Sequence, residues 1–309
     1  MANSSQISLD ALIYAIKNCS VENTYKMSWL RSIVEFTIEN DSNVIDLAFI
    51  AKTMFKHYWD QTNFFKLQQG QNPYREPIIV QIVKDEINRF QKKYDNFKPT
   101  FFLKIQNKIN VDTKKIIQVI KRDVSWRFKK DIDLYQIDKN KNQIILTDPF
   151  LLKNHSDIIL ELVNFRWTQI LENYNSAPKI ANKVRGTEKG EIKRKSLNKF
   201  HNILKIDNPK EICFLSNEKI TDDLSIHHVI PWSYLYSDDI WNLVYVKKKK
   251  NSEQSNKIPT KKMIDKLITR NKVLIKKMEE KNLKNKFYFE LKNSIEKNLV
   301  NQFWIGCKG

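Results

Sequence analysis

Two short β-branched runs, DLSIHHVI and NLVYV, stand about a dozen residues apart within the stretch Cys213 to Pro259, and four lysines then lead into NSEQSNKIP. Pro231 stops the first run, the polar loop SYLYSDD separates it from the second, and a one- or two-turn helix ending before Pro259 is expected after the lysines. A strand, loop, strand and short helix over about 210–259 can converge on one spot. Two of the chain's five histidines, His227 and His228, are adjacent on the first strand, and Asn242 and Asn251 follow the second histidine by fourteen and twenty-three residues. Neighbouring strand residues point to opposite faces, so using both rings together needs a kink or bulge, which Pro231 and the loop would permit.

The chemistry of those residue types is that of phosphodiester hydrolysis. An imidazole titrating near neutrality can take a proton from water. A second imidazole and an amide oxygen can hold one divalent ion that neutralises charge on the phosphorus.

IHHVIPWS, then DDIWNLV, then KNSEQSNKIP, in that order and spacing, resemble the HNH endonucleases, also called ββα-metal or His-Me finger nucleases, of the restriction and phage-defence type. The resemblance covers about fifty residues. It implies His228 as the general base and His227, where many relatives have aspartate, as a metal ligand. It implies Asn242 as the residue that hydrogen-bonds and orients the His228 ring, and Asn251 as the second metal ligand. Products with 5′-phosphate and 3′-hydroxyl ends are implied as well. Many of these domains add a zinc ribbon of two Cys-x-x-Cys pairs. Here only Cys213 remains, with Ser216 in its partner's place and Lys247 to Lys250 replacing the second pair, so no structural zinc is expected. The catalytic ion is expected to be Mg2+, with Mn2+, Ni2+ or Zn2+ admitted because a histidine replaces the aspartate.

The 309 residues suffice for a sizeable core and suggest two domains, and 41% hydrophobic residues argue against disorder. The net charge of +19 selects a polyanionic partner, nucleic acid before anionic membrane. It is uneven: residues 176–309 hold 29 Lys and Arg against 15 Asp and Glu, and the first 175 hold 25 against 20. Three widely spaced cysteines, Cys19, Cys213 and Cys307, read as reduced thiols, and the opening MANSSQISLD lacks a signal peptide's apolar core. A cytoplasmic protein with no membrane association is the expectation.

The region 1–175 reads as mainly helical, a recognition, sensing or partner-binding part. Ser8 can cap LDALIYAIKN, Asp41 or Ser42 can cap VIDLAFIAKTMFKHYW, and LYQIDKNKNQIILT reads as a hairpin over Leu134 to Thr147. Asp148 and Pro149 introduce one long helical segment, LLKNHSDIILELVNFRWTQILENY. His57, Trp59, Trp232 and Trp241 are read as packing. From Lys179 to Lys199 eight of twenty-one residues are basic, and a domain boundary is placed near Ser176. Lys179, Lys183, Arg185, Lys193, Arg194, Lys195 and Lys199, with Lys257, are candidates to track phosphates. MIDKLITRNKVLIKKMEE and FYFELKNSIEKNLVNQFW are expected as two amphipathic helices against the strand–strand–helix unit.

The fold class expected is α+β: a mainly helical N-terminal region with a small hairpin, then a basic ββα-metal domain over 176–309 with a helical extension. The expected function is metal-dependent cleavage of duplex DNA in restriction or anti-phage defence, with room for a defence-system partner subunit. A noncatalytic nucleic-acid-binding protein on a degenerate HNH scaffold, and an RNA-cutting effector, are the alternatives.

Overall fold

The structure is a computed structural model that describes residues 7–72, 74–175, 177–186, 196–221, 223–254 and 256–308. It is mixed α/β, mostly helical with two small sheets. Two compact units divide it, Met1–Asn175 with Ile180–Glu191, and Ser176–Lys179 with Ile192–Gly309. Among the described residues no helix is long and apolar enough to cross a membrane.

The first unit contains α1 (Leu9–Asn18), α2 (Tyr25–Glu39), β1 (Val44–Asp46), α3 (Leu47–Phe65), α4 (Ile78–Tyr94), α5 (Phe102–Ile105), α6 (Thr113–Val119) and α7 (Ser125–Asp131). It continues through β2 (Tyr135–Asp138), β3 (Gln143–Leu146), α8 (Pro149–Asn154), α9 (Ser156–Tyr174) and α10 (Ile180–Gly186). Ser8 caps α1 by accepting from Ala11 N–H, and the helix buries Leu12, Ala15 and Ile16, the one-turn spacing of an amphipathic helix. The expected start of α3 is corrected. Val44 to Asp46 form a strand against β3, with Ile45 opposite Ile144, and the cap is Asp46, which accepts from Ala48 N–H at 2.7 Å. A β-branched pair followed by an Asp cap favours a strand that turns into a helix over one continuous helix.

The expected hairpin is present. Tyr135 pairs with Leu146, Asn142 turns at φ 55°, and Asp138 accepts from the Asn140 and Lys141 N–H groups. The long helix expected after Asp148 is broken at His155 into α8 and α9. The core is aromatic, with Trp29, Trp59 and Trp167 fully buried. His57 lies inside it, as expected of a packing residue, hydrogen-bonded to Ser28 and Glu35. Past the boundary expected at Ser176, α10 still belongs to this unit, burying Ile180 and Val184.

The second unit contains α11 (His201–Asp207), β4 (Leu224–His228), α12 (Trp232–Leu235), β5 (Leu243–Lys247) and α13 (Lys248–Gln254). It ends with α14 (Lys261–Glu280), α15 (Lys286–Glu296) and α16 (Leu299–Lys308). β4 and β5 form an antiparallel pair with His227 opposite Val244 and His228 opposite Leu243. Thr260 caps α14, which buries Ile264, Leu267, Asn271, Leu274 and Met278, alternating three and four residues apart, in the core beneath the strands. The last expected helix is two, because Asn298 adopts a left-handed φ of 50° between α15 and α16. Trp241 stacks on Phe303, and Trp232 lies beside Tyr236; both tryptophans are buried.

Candidate active site

β4 supplies both histidines, and its alternation separates them. His227, 3% exposed, turns to α13, where its Nδ1–H donates to Asn251 Oδ1 at 2.8 Å. Ser225, two residues earlier and so on the same face, accepts from Asn251 Nδ2 at 2.6 Å, which fixes the amide with its oxygen toward the imidazole. His228 turns to the loop between the strands, where its Nε2–H donates to Asp238 Oδ1 at 3.0 Å.

Burial pushes the His227 ring down to about 4, with the hydrogen bond to Asn251 working against it and the neighbouring His228 adding to it. The ring is therefore neutral at physiological pH, the state a metal ligand needs. The hydrogen bond from His228 holds the Asp238 carboxyl below its ordinary value, against its partial burial. A carboxylate on one nitrogen selects the tautomer of the ring and stabilises the imidazolium that proton transfer creates.

The role expected of Asn242 is corrected. Its side chain is fully buried, and both ends of the amide grip one residue of the loop: Oδ1 accepts from Ile230 N–H and Nδ2 donates to Ile230 O, each at 2.8 Å. The Asn242 carbonyl also accepts from Val229 N–H at 3.0 Å. Asn242 thus fixes the backbone leaving His228, and Asp238 takes the ring. The sequence offered little sign of Asp238, one of two adjacent aspartates in a polar loop whose path the residue spacing does not specify. The loop closes because α12 and a left-handed Tyr236, φ 56°, reverse the chain after Pro231.

The helix after the lysines starts earlier than expected, at Lys248, so Asn251 sits within α13. Where a second Cys-x-x-Cys pair would lie, Lys247 donates its backbone N–H to the buried Cys213 Sγ at 3.4 Å and pairs its ammonium with Glu218 at 2.6 Å. Hydrogen bonds from Phe214 N to Tyr245 O and from Cys213 N to Glu218 O close this turn.

Among the described residues no group of three or more His, Cys, Asp or Glu stands where it could hold a metal ion. The candidate donors are His227 and Asn251. Because Nδ1 carries the proton given to Asn251 Oδ1, the lone pair of the ring is on Nε2. His227 Nε2 is buried without a hydrogen-bond partner, an uncompensated polar atom of the sort that marks a site.

Residues 213–260 match the family described as HNH endonuclease. This segment belongs to the HNH endonucleases. No curated protein and no solved structure matches the chain. The HNH segment is thus the part of the molecule to which a nuclease activity and nucleic-acid binding attach.

The residues expected to track phosphates differ in burial where they are described. Lys183 is fully buried with its ammonium 5.9 Å from the centre of the Phe65 ring, which removes it from any phosphate: α10 packs its face into the first unit. Lys193, Arg194, Lys195 and the side chain of Arg185 lie outside the described residues. Lys179, Lys199 and Lys257 are exposed.

Proposed function

We propose that this chain is a metal-dependent DNA endonuclease built on a ββα-metal core, acting in restriction or anti-phage defence. The observation that carries the reading is the pairing of each adjacent histidine with its own partner, His227 with Asn251 and His228 with Asp238. One strand then offers a neutral imidazole beside an amide oxygen and, at the next residue, an imidazole backed by a carboxylate.

His228 is the general base. Asp238 holds Nε2–H, so Nδ1 is the nitrogen that accepts the proton of the attacking water, and the Asp238 carboxylate offsets the charge that then develops on the ring. His227 and Asn251 would hold a divalent ion, Mg2+ first, whose chemistry is to neutralise charge on the phosphorane and on the leaving 3′ oxygen. Asn242 keeps the backbone after His228 from shifting as the proton moves. The products are a 5′-phosphate and a 3′-hydroxyl. The defence role rests on the resemblance of the motif to restriction and phage-defence enzymes, and the first unit would supply target reading, signal sensing or a subunit contact.

The test is cleavage of duplex DNA, single-stranded DNA and RNA by wild type and His228→Ala, in Mg2+, in Mn2+ and in excess chelator. Wild-type cleavage of duplex DNA that the chelator abolishes, and that His228→Ala lowers by about 100- to 10,000-fold while DNA binding persists, is the expected result. Faster cleavage of RNA would move the substrate to RNA. Binding without cleavage in either metal would favour a noncatalytic scaffold.

A further inference from the structure

Four lysines of the second unit line one cavity. This cavity of about 570 Å³ opens between the Phe214–Asn217 turn, the last residues of α13 and the first turns of α14. Lys250, Lys257, Lys262 and Lys266 line it, with Glu253 as its one carboxylate. Glu253 is engaged by Lys250 at 2.7 Å. Among the described residues Lys257, Lys262 and Lys266 form no ion pair. Lys266 instead donates to the carbonyl of Phe214 and to Asn217 Oδ1 at 2.5 Å, neutral acceptors, and its ammonium lies 4.5 Å from the centre of the Phe214 ring. Burial holds its ammonium below the ordinary value, the neighbouring Lys262 adding to this and Cys213 opposing it.

Four lysines around one carboxylate favour an anionic occupant. Lys250 and Glu253 are on α13, the helix that presents Asn251 to His227, so groove and candidate metal ligand share one rigid two-turn element. We infer that this lysine groove binds the phosphate backbone of the nucleic-acid strand next to the bond being cut. The inference rests on the nuclease reading for its choice of occupant and gives that site a strand path. Its contacts are to phosphate, so it contributes affinity and register without sequence preference.

The test uses full-length protein in chelator, so binding is measured without cleavage. Wild type, Lys257→Gln/Lys262→Gln and a control pair, Lys272→Gln/Lys276→Gln, on exposed positions farther along α14, are titrated with a fluorescent duplex at several salt concentrations. Each phosphate contact contributes about 0.9 to the slope of log affinity against log salt. The groove pair should lower that slope by about 2 and weaken binding about tenfold or more at physiological salt, with the control pair close to wild type. Wild-type affinity and slope for the groove pair would overturn the inference. Equal losses in the two pairs would also overturn it, since charge alone would then suffice. Lys266→Gln, which also loses two hydrogen bonds to the turn, is read only if its melting curve matches wild type, and it should then weaken binding as the pair does. Cleavage is scored separately: if His228→Ala cut normally, the catalytic reading would fall while the binding result stood.

Discussion

Asp238 and Ser225 each decide which atom of a neighbour is available for chemistry. Ser225 accepts from Asn251 Nδ2, so the amide cannot rotate its nitrogen toward His227 without losing that bond. Asp238 accepts from His228 Nε2–H. Replacing Asp238 by Asn leaves an oxygen that can still accept, but adds an amide nitrogen that competes for the ring and removes the charge facing a developing imidazolium. The expected outcome is a fall in kcat of about 10- to 100-fold with KM little changed, and partial recovery in Asp238→Glu. Steady-state cleavage kinetics check it. A rise in KM with kcat unchanged would mean that Asp238 acts on binding, and would remove it from the positioning of the base.

The segment 240–243 is the element on which the site depends, and it is held from three sides. Arg270 donates to the carbonyls of Ile240 and Leu243 at 3.1 and 2.6 Å while pairing with Asp207, and Asn271 donates to Trp241 O at 2.9 Å. Glu290 accepts from Ile240 N–H. Asn242, so fixed, reaches across to Ile230. Asn242→Ala would leave a buried N–H and a buried carbonyl of Ile230 without partners, a cost of about 2–4 kcal/mol, visible as a lower urea midpoint at unchanged slope. An unchanged midpoint would mean that water replaces the amide. This element also marks how far the sequence could be read. The two strands and the helix after them follow from β-branched runs and Pro231, which are local signals, and the encounter of His227 with Asn251 from the resemblance of the motif. The role of Asn242 and the partner of His228 depend on how an irregular loop folds back, and residue spacing carries no information about that path. For the same reason Val44 and Ile45 read as helix: the strand exists only because β3, some hundred residues later, pairs with it.

At the scale of the whole molecule, the basic excess and the buried ionisable groups stand in different places. The phosphate track expected from Lys179 to Lys199 failed at Lys183 because lysine count says nothing about which helix face is buried, and α10 turns that residue inward. The lysines that share one cavity are instead at the end of α13 and the start of α14, where Lys266 reads as the polar side of an amphipathic helix. The first unit buries Asp60, 1% exposed, with Oδ1 accepting from Phe102 N–H at 2.8 Å and Oδ2 without a hydrogen-bond partner. Burial raises its carboxyl to about 7, the Phe102 N–H working against it. A carboxyl that holds its proton more tightly folded than unfolded contributes most below its unfolded value near 3.8, and that contribution drains away as pH rises to about 7. Asp60→Asn keeps an acceptor for Phe102 and has no proton to lose. Its stability relative to wild type should therefore grow by about 3–4 kcal/mol between about pH 4 and about pH 8, from a shift of roughly three pKa units at 1.36 kcal/mol each. Urea denaturation of both proteins across that range measures the difference directly. A constant gap would mean that Asp60 is solvated or paired in the folded chain, and a gap that shrinks with pH would reverse the sign of its titration.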